Sequence, residues 1–528
     1  MNIFLVVIAV IIFTCIFLNM VSGKLGVPVL LLFILLGMLC GLGTETDPDL
    51  YDAGQAFCTF ALIFIMFYGG FGTKWSSAKP VIREAGLLAS AGVLMTAALT
   101  GLFCHFALKW GWAESFLMGS VISSTDAATV FSILRTRKLG LKNNTAPMLE
   151  IESGSNDPCS YMLTAIMISV ISGTASGGMV VWTVFAQIFF GFLFGALIST
   201  GAVWIIRRVH FADGFNSLFI VAVAIASYAI PSLCGGNGYL STYIVGIVLG
   251  NTAFKDKKIL VNFFDGITSL AQILIFFLLG LLATPHELLR SFVPALLIFL
   301  FLTIVGRTLS VTAILAPFRK YPANQIGLVS FVGLRGAASI VFAMMTLSSD
   351  IALEHSIFNI VFCIVLISMA LQGSLIPFAA KKFRMTDEGE DVMKTFNDYN
   401  DSQELSFGKI DIEEDSPWAG RTVMELGLPK DFLLTLIIRS GKKIVPKGPT
   451  EILAGDQVII CSRCLADNVA GLREHPLAPN SPWIGHTIKE YPYKDNSMLV
   501  MIKRGDEQVI PNGDTILEKG DVLIILKQ

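Results

Sequence analysis

Long apolar runs separated by short polar segments fill the chain up to about residue 384, where the pattern stops. Most runs are long enough to cross a hydrocarbon core about 30 Å thick as helices. The pattern predicts thirteen spans, at residues 3–22, 27–42, 55–72, 85–108, 115–134, 148–171, 178–206, 216–234, 238–251, 258–282, 291–316, 325–347 and 355–380. The first run lacks the charged start of a cleavable signal sequence, so we expect Met1 to Val21 to be retained as a span.

Composition supports a membrane protein and excludes other classes. Of the 528 residues, 54% are hydrophobic and 15% are charged, with a mean hydropathy of +0.69. These values are too apolar for an ordinary soluble protein. The net charge of −2 gives no indication of a nucleic-acid partner. The nine cysteines show no metal-ligand spacing and lie mostly in apolar runs, so we interpret them as small core residues.

The basic residues between the runs fall mainly on alternate loops. If the N-terminus is outside, the cytoplasmic loops hold Lys24, Lys74, Lys79, Arg83, Arg135, Arg137, Lys138, Lys142, Arg207, Arg208, Lys255, Lys257, Lys258, Arg319, Lys320, Lys381, Lys382 and Arg384. The opposite loops hold Lys109 and Arg290. This bias follows the positive-inside rule and predicts a cytoplasmic C-terminal region.

Two acidic residues, Asp126 and Asp157, fall near the centres of apolar spans. Each is about 13–16 Å along its helix from the predicted start, so both approach the middle of the bilayer. An ionisable group at that depth is costly and by default marks an ion or proton pathway. Residues four apart share a helix face, which places Ser153 beside Asp157 and Glu152 beside Asn156. The pattern indicates two carboxylates with oxygen-bearing neighbours, suited to a dehydrated monovalent cation or to protons.

Polar or glycine-rich centres interrupt two spans. The fifth span contains Ser123-Ser-Thr-Asp126, and the twelfth contains Gly333-Leu-Arg-Gly-Ala-Ala-Ser339. The two are seven spans apart, so they cross the membrane in opposite directions. Inverted repeats with paired broken helices are the usual construction of secondary transporters, where half-helix ends and freed carbonyls surround the ion. The alternative, that the glycines only permit close helix packing, does not account for Arg335 in the same turn.

Arg307 and Arg335 are the buried cations expected to accompany these acids. Because a buried charge without a partner is costly, we predict that Glu152 pairs with Arg307 and that Arg335 balances the broken-helix ends and Asp126. Asp157 is then left to exchange a proton for a cation. Burial raises the pKa of a carboxylic acid toward neutrality, as a proton-exchanging site requires. The alternative for both arginines is that they snorkel to the membrane interface.

These residues resemble the motifs of a known family. Thr125-Asp126, Glu152-Ser-Gly-Ser-Asn-Asp157 and Val332-Gly-Leu-Arg-Gly-Ala337 are similar to the signatures of NhaP-type monovalent cation/proton antiporters. The resemblance is greatest to bacterial potassium/proton antiporters of the inner membrane that carry a cytoplasmic regulatory region, and it covers about residues 1–384. It implies an NhaA-like fold of thirteen helices and a homodimer, in which a core domain moves against a dimerisation domain.

The same resemblance implies the roles of single residues. Asp126, Asp157, Ser153 and the carbonyl of Thr125 would ligate the cation, K⁺ or Na⁺, and Asn156 would orient the site. An asparagine before Asp157, where relatives have two adjacent aspartates, resembles the electroneutral branch of the family, which exchanges one cation for one proton. No cofactor other than the transported ion is implied.

Two positions depart from the family pattern. Many members carry an acidic residue before the paired glycines of the third span, where this chain has Phe67-Tyr68-Gly69-Gly70. The twelfth span reads Ala337-Ala338-Ser339 where a proline is common. The contribution that a carboxylate makes at this position in other members is therefore not carried over to Tyr68, and the resemblance does not fix the shape of the second interruption.

The composition changes past Arg384. Residues 385–404 are rich in acidic side chains and predict a solvated linker after a transmembrane domain at 1–384. An internal repeat follows with an offset of 65, in which Ser416-Pro-Trp recurs as Ser481-Pro-Trp. Arg439 and Gly455-Asp456 recur at that offset as Arg504 and Gly520-Asp521. We therefore expect two small α+β domains, at residues 405–467 and 468–528.

Each copy contains short alternating strands and a final strand after Gly-Asp. The copies resemble the C-terminal lobe of the RCK regulators of potassium transport (TrkA-C), which makes Arg439 and Arg504 regulatory candidates. No Gly-x-Gly-x-x-Gly motif precedes either copy, so the nucleotide-binding half of those regulators is not indicated. A regulatory ligand between the lobes and purely structural dimerisation both fit the sequence.

Two functions from different classes fit these observations. The first is a secondary antiporter that exports K⁺, or Na⁺, for entering H⁺ under control of the lobes. The second is a gated channel or facilitator, which would favour a carbonyl filter such as Thr-Val-Gly-Tyr-Gly, and the sequence lacks one. An enzyme is not indicated, since His105 and His210 have no serine, cysteine or metal-ligand partner at motif spacing.

Overall fold

The computed structural model describes most of the chain in two compact units, Met1–Tyr399 and Asn400–Gln528. The described residues are 10–11, 13–18, 29–41, 48–136, 139–209, 215–252, 257–283, 285–349, 351–387, 405–414, 416–428, 432–439, 442–463, 472–477, 481–490, 497–504, 507–509 and 515–527. The predicted first span is helical at its described residues, and its remainder lies outside them. Residues 388–404 of the predicted linker and His210 also lie outside the described residues.

The first unit is a bundle of apolar helices, as the sequence predicts. Among the described residues, seven helices are long and apolar enough to cross a membrane. The helices are α1 (Val29–Gly41), α2 (Pro48–Gly72), α3 (Ile82–Leu108), α4 (Trp112–Ile122), α5 (Ala127–Thr136), α6 (Thr145–Ile171), α7 (Gly177–Arg208), α8 (Phe215–Leu233), α9 (Gly238–Gly250), α10 (Lys257–Leu282), α11 (285–315), α12 (Ala323–Phe331), α13 (Ala337–Ser348) and α14 (Ile357–Lys382).

The two predicted interruptions are present. The fifth predicted span is divided into α4 and α5 by residues 123–126, which we call the first break. The twelfth is divided into α12 and α13 by residues 332–336, the second break. Serine, threonine and aspartate offer the backbone alternative hydrogen bonds and glycine stabilises a helix poorly, so both sequences favour an opening of the helix. Membrane helices can open in this way where the freed backbone is buried in protein.

Three of the longer helices contain π-helical turns. These turns are Leu88–Gly92 in α3, Leu302–Gly306 in α11 and Ser368–Gly373 in α14. A π-turn places one additional residue in the helix and is frequent at functional sites. The second of these turns ends directly before Arg307, and the third begins with Ser368.

Small residues set the closest helix contacts, and large apolar residues cover the outside. A Cβ atom at Gly37 would lie 2.1 Å from the carbonyl oxygen of Phe277, so α1 and α10 pack with their backbones in contact. In contrast, α7 exposes large apolar side chains, including Trp182 and Phe189. Such a surface is suited to lipid or to another apolar protein surface.

A short strand pair joins two distant segments of the first unit. β1 (Gly140–Leu141) lies between α5 and α6, and β2 (Thr386–Asp387) follows α14. The strands are antiparallel, with Gly140 opposite Asp387 and Leu141 opposite Thr386.

The second unit contains two sheets with the same topology, which confirms the predicted repeat of strands. The strands are β3 (Leu405–Asp411), β4 (Phe432–Arg439), β5 (Lys442–Ile444), β6 (Gln457–Arg463), β7 (Leu472–Pro476), β8 (Ser497–Arg504), β9 (Glu507–Val509) and β10 (Val522–Lys527). Their orders are β3-β6-β4-β5 and β7-β10-β8-β9, all antiparallel. Strands β6 and β10 each follow a Gly-Asp pair, as the sequence predicts.

Candidate ion site

The two breaks meet and complete each other's hydrogen bonds. The backbone N–H of Asp126 in the first break donates to the carbonyl oxygen of Leu334 in the second, at 2.8 Å. In return, the guanidinium of Arg335 donates from Nη1 to the carbonyl oxygens of Ile122 (2.5 Å) and Ser124 (2.7 Å). Arg335 is 2% exposed. It therefore satisfies carbonyls that the end of α4 leaves without a helical partner, which is the helix-end role expected of it.

Asp157 lies in α6 beside the first break and is 5% exposed. Its carboxylate accepts a hydrogen bond from the hydroxyl of Ser124. The following residue, Pro158, has no N–H, so the helix cannot close its usual bond at this point. The acceptor left without this donor is the carbonyl of Gly154. The Pro158 carbonyl in turn accepts from Nδ2 of Asn237 at 2.8 Å, which joins α6 to the start of α9. These contacts hold Asp157 at an irregular part of its helix.

Asp126 is half-buried and is held from two sides. Thr129, in the first turn of α5, donates its backbone N–H to Asp126 Oδ1 at 3.1 Å and its hydroxyl to Oδ2 at 2.6 Å. On the other side lies Gly336, where a Cβ atom would be 2.2 Å from Oδ2. The glycine of the second break is therefore required because the carboxylate occupies the space of a side chain.

Thr125 connects the first break to the two polar residues that precede Asp157. The hydroxyl of Ser153 donates to the Thr125 carbonyl oxygen at 2.7 Å. The Nδ2 of Asn156 donates to the Thr125 hydroxyl oxygen at 2.5 Å. The structure thus brings together all five residues that the resemblance implies for the cation site.

Glu152 lies on another side of α6, against Arg307. The Nη2 of Arg307 is 2.7 Å from each carboxylate oxygen of Glu152, and the two side chains are 4% and 1% exposed. The expected pair is therefore formed within the bundle, not at its surface. A Cβ atom at Gly333 would lie 2.9 Å from Arg307 Nε, so the second break also makes room for this arginine.

A cavity of about 100 Å³ opens onto the carboxylates of Asp126 and Asp157. Residues of both breaks, α2, α6 and α10 line it, and its polar lining residues are Ser124, Thr125, Asp126, Glu150, Ser153, Asp157 and Gln272. Among the described lining residues, none is basic. Oxygen-bearing groups in such a space can coordinate a monovalent cation or hold a proton, and the charge of the lining attracts cations.

Sequence reasoning missed several charged contacts of the membrane unit. Glu150 lines the cavity and was not singled out, whereas Glu152, two residues further on, was expected to pair with Arg307. Tyr68, at the position that departs from the family pattern, donates its hydroxyl to Asp265 Oδ1 at 3.3 Å. Glu114 accepts from the backbone N–H of His355 at 2.8 Å. Glu114 and His355 are 241 positions apart, and a contact over such a separation is not visible in a local pattern.

The two arginines taken as regulatory candidates bind within their own lobes. Arg439 contacts both carboxylate oxygens of Asp456, at 2.8 and 2.7 Å. Arg504 does the same to Asp521, at 2.9 Å to each oxygen. The hydrogen bonds from Arg439 hold the pKa of the Asp456 carboxyl below its usual range. Both arginines thus fasten the turn before the last strand of each lobe.

Comparisons with known proteins agree with this architecture. The family model described as sodium/hydrogen exchanger, transmembrane, matches residues 8–382, and the TrkA-C domain model matches residues 409–463 and 472–526. The K(+)/H(+) antiporter NhaP of Alkalimonas amylolytica is 31% identical over 468 residues, which cover 87% of this chain and 81% of the relative. The K(+)/H(+) antiporter NhaP2 of Shewanella oneidensis is 29% identical over 523 residues, covering 97% and 79%.

A solved structure shares the fold of the helical unit. The sodium proton antiporter MjNhaP1 from Methanocaldococcus jannaschii at pH 8 superposes with a TM-score of 0.63 and 22% identity, over 70% of this chain and 99% of the other. Fold and site together define a multi-pass helical membrane protein with two broken helices around buried carboxylates. The chain belongs to the sodium/hydrogen exchanger family of transmembrane proteins and carries two TrkA-C domains.

Proposed function

We propose that the protein is a secondary antiporter that exchanges cytoplasmic K⁺ for H⁺ by alternating access. The observation that carries this proposal is that Asp126 and Asp157 line one small cavity beside the opened backbone at Thr125. A carboxylate in such a place is neutralised either by a proton or by a cation, so that one occupant excludes the other. The names of the two relatives, both K(+)/H(+) antiporters, favour K⁺ as the cation.

In this proposal each site residue has a separate role. Asp126, Asp157, Ser153 and the carbonyl of Thr125 bind the cation, and Asn156 orients Thr125 through its 2.5 Å hydrogen bond. Because Glu152 is already neutralised by Arg307, its charge does not change during the cycle. One carboxylate then alternates between a proton and a cation, which makes the exchange electroneutral.

A mutation of Asp157 tests the proposal most directly. Asp157→Asn removes the acid at nearly constant volume, so we expect exchange to be abolished while the protein still assembles. The purified protein would be placed in proteoliposomes, and the pH change driven by an imposed K⁺ gradient would be recorded without a membrane potential. Normal pH-dependent exchange by this variant, or conductance without proton movement by the wild type, would overturn the proposal.

Na⁺ is the second candidate for the cation. The solved neighbour MjNhaP1 is a sodium proton antiporter, and both ions take oxygen ligands. Equal K⁺ and Na⁺ gradients, imposed in turn on the same proteoliposomes, distinguish the two. A faster pH response to Na⁺ would assign the site to Na⁺.

We further propose a homodimer in the inner membrane of a bacterial cell, with the N-terminus outside and both TrkA-C domains in the cytoplasm. The distribution of basic loop residues supports this orientation. Cys234, which is exposed in the loop after α8, would then face the outside. In a variant that retains only this cysteine, a membrane-impermeant maleimide added to intact cells should label it. Labelling only after the cells are opened would show that Cys234 faces the cytoplasm and that the orientation is the opposite one.

Regulation by the lobes is the last part of the proposal. Deletion of residues 401–528 should change the activation of exchange without abolishing it. Complete loss of exchange, with the membrane unit still folded, would contradict a regulatory role.

A further inference from the structure

Glu150 is a third carboxylate of the ion cavity. It lies on α6 seven residues before Asp157, two helical turns or about 10 Å along the axis, so the two share a face of the helix. Both residues line the same cavity. Glu150 is 8% exposed, and the hydroxyl of Thr73, just beyond α2, lies 3.4 Å from its Oε1.

The neighbouring acid on the same helix shows how the two glutamates differ. Glu152 is held by Arg307 at 2.7 Å and is not among the cavity-lining residues, whereas Glu150 faces the cavity. With Asp126 and Asp157, Glu150 gives the described lining three acidic side chains and no basic one. A cleft lined by charge of one sign concentrates ions of the opposite sign and speeds their entry.

Building on the proposed exchange of cations for protons, we propose that Glu150 is a further cation-binding residue, which receives the cation on its way between the start of α6 and Asp157. The start of α6 faces the cytoplasm in the proposed orientation. Glu150 thus raises the local concentration of the cation at the carboxylates, while Asp157 carries out the exchange. Its contribution is to affinity, not to the maximal rate.

The test separates affinity from rate. Initial exchange by the full-length protein in proteoliposomes would be measured over a range of K⁺ concentrations for wild type and Glu150→Gln. We expect the half-saturating K⁺ concentration to rise by about tenfold and the maximal rate to stay within about twofold, because the local cation concentration falls. Glu150→Asp keeps the charge one methylene further away and should raise the half-saturating concentration by less.

A second readout does not depend on transport. Potassium chloride should raise the melting temperature of the wild type by binding the folded state, and the increase should shrink in Glu150→Gln. Glu114→Gln is the matched control, because Glu114 is a buried acid of α4 that does not line the cavity. It should leave the half-saturating K⁺ concentration unchanged.

Several outcomes would overturn the role of Glu150. They are an unchanged half-saturating concentration in folded Glu150→Gln, a lower maximal rate at unchanged affinity, or an equal shift in the Glu114→Gln control. If Glu150→Gln does not assemble, an unchanged half-saturating concentration in Glu150→Asp would have the same meaning. A wild type that exchanges neither K⁺ nor Na⁺ would instead sink the proposed function, which keeps the two failures distinguishable.

A second inference rests on independent contacts, those of the segment that leaves α14. We call the contact between residues 139–143 and 383–387 the clasp. Besides the β1–β2 pair, the backbone N–H of Lys142 donates to the Met385 carbonyl at 2.9 Å. Leu141 and Met385 are 3% and 1% exposed, so the clasp has an apolar core.

The clasp also contacts the second broken helix. At the start of α12, Asn324 donates from Nδ2 to the carbonyl of Phe383, and Gln325 donates from Nε2 to the carbonyl of Asn143, both at 3.1 Å. The segment before the linker is therefore hydrogen bonded to α12 and to the connection between α5 and α6. Of these helices, α5 follows the first break, α6 carries Asp157 and α12 leads into the second break.

We infer that the clasp transmits the state of the C-terminal domains to the ion site. It is a continuous set of hydrogen bonds between the chain that leads to those domains and the helices that hold both breaks. A change in the C-terminal domains that displaces residues 383–387 would act on these helices through the clasp.

Lys142 allows a matched pair of variants. Lys142→Pro removes the N–H that bonds to Met385, whereas Lys142→Ala keeps it. Each variant would be measured with and without residues 401–528, in the same exchange assay. We expect the deletion to change the exchange rate of the wild type and of Lys142→Ala by the same factor, and that of Lys142→Pro by less than half that factor. An equal effect of the deletion in all three backgrounds, or none in the wild type, would overturn the inference.

Discussion

The two breaks open their helices in the same way but bring opposite groups to the site. The first break and the last residue of α4 supply acceptors, namely the carboxylate of Asp126 and the carbonyls of Ser124 and Ile122. The second supplies the guanidinium of Arg335 and, at Gly336, the space that the Asp126 carboxylate occupies. One break therefore carries the acceptors, and the other donates to carbonyls beside it and leaves room for the Asp126 carboxylate.

This difference shows why the breaks occur as a pair. A helix end in the membrane leaves backbone groups that water cannot satisfy. Here Arg335 satisfies the carbonyls of the first break, and Asp126 N–H satisfies the Leu334 carbonyl of the second. Since each break completes the other, a change in one is expected to disturb both.

Removal of Arg335 is the strongest way to break the pairing. Arg335→Gln leaves buried carbonyls of the first break without a donor, and we expect the free energy of unfolding to fall by about 3–5 kcal/mol. Thermal unfolding of the purified protein in detergent measures the loss. Arg335→Lys should lose less, because the ammonium retains the charge and can still donate to carbonyl oxygens, although its reach differs from that of Nη1. Equal stability of Arg335→Gln and wild type would show that the carbonyls find other donors.

Gly336→Ala tests the space that the second break leaves. The added Cβ would lie 2.2 Å from Asp126 Oδ2, so the carboxylate must move and we expect exchange to slow by about 100-fold. Gly266→Ala on α10 is the control, since a Cβ atom at Gly266 would have no atom within 4 Å apart from the adjoining backbone of its own helix. Exchange assays in proteoliposomes compare the two. If both substitutions had the same small effect, Asp126 would not depend on Gly336.

Thr129→Val removes one of the two hydrogen bonds from Thr129 to Asp126. The hydroxyl bond at 2.6 Å is lost and the backbone bond remains, so the Asp126 carboxylate is held less firmly. We expect the half-saturating cation concentration to rise by about tenfold. Thr129→Ser keeps a hydroxyl and should stay close to the wild type. A normal response of Thr129→Val would mean that the backbone N–H alone positions the carboxylate.

Ser368→Ala should have the smallest effect on the pairing. The Ser368 hydroxyl accepts from the backbone N–H of Arg335 at 3.1 Å and donates to Gln372 Oε1 at 2.9 Å. Its removal is expected to lower the free energy of unfolding by about 1 kcal/mol, with little change in exchange. Unfolding and exchange measured on the same preparation would check this. A large loss of exchange would give Ser368 a role beyond support of the second break.

Much of the site was predictable because it depends on charged residues, whose burial in an apolar helix costs free energy. Charged groups in an apolar run must be paired or functional, so Asp126, Asp157 and the contact of Glu152 with Arg307 follow from their positions in the sequence. The positions of the breaks follow from polar and glycine-rich turns in otherwise apolar spans. The strands of the second unit follow from alternation and from the repeated Gly-Asp turn.

Other features depend on packing between helices that are distant in the sequence. Glu150 and Glu152 point in different directions because they lie two residues apart on a helix, but which of them meets the cavity and which meets Arg307 is set by the neighbours of α6. The contact of Tyr68 with Asp265 joins positions 197 apart. The engagement of Arg439 and Arg504 within their own lobes likewise required the structure, because the repeat alone shows correspondence and not contact.

The π-turn at Leu302–Gly306 fixes the direction of Arg307. Each residue of an α-helix advances the side chains by about 100°, so the loss of one position from this turn would rotate everything after it by that angle. Arg307 would then swing away from Glu152 although its distance along the axis would hardly change. Deletion or insertion of one residue in this turn would therefore separate the guanidinium of Arg307 from Glu152.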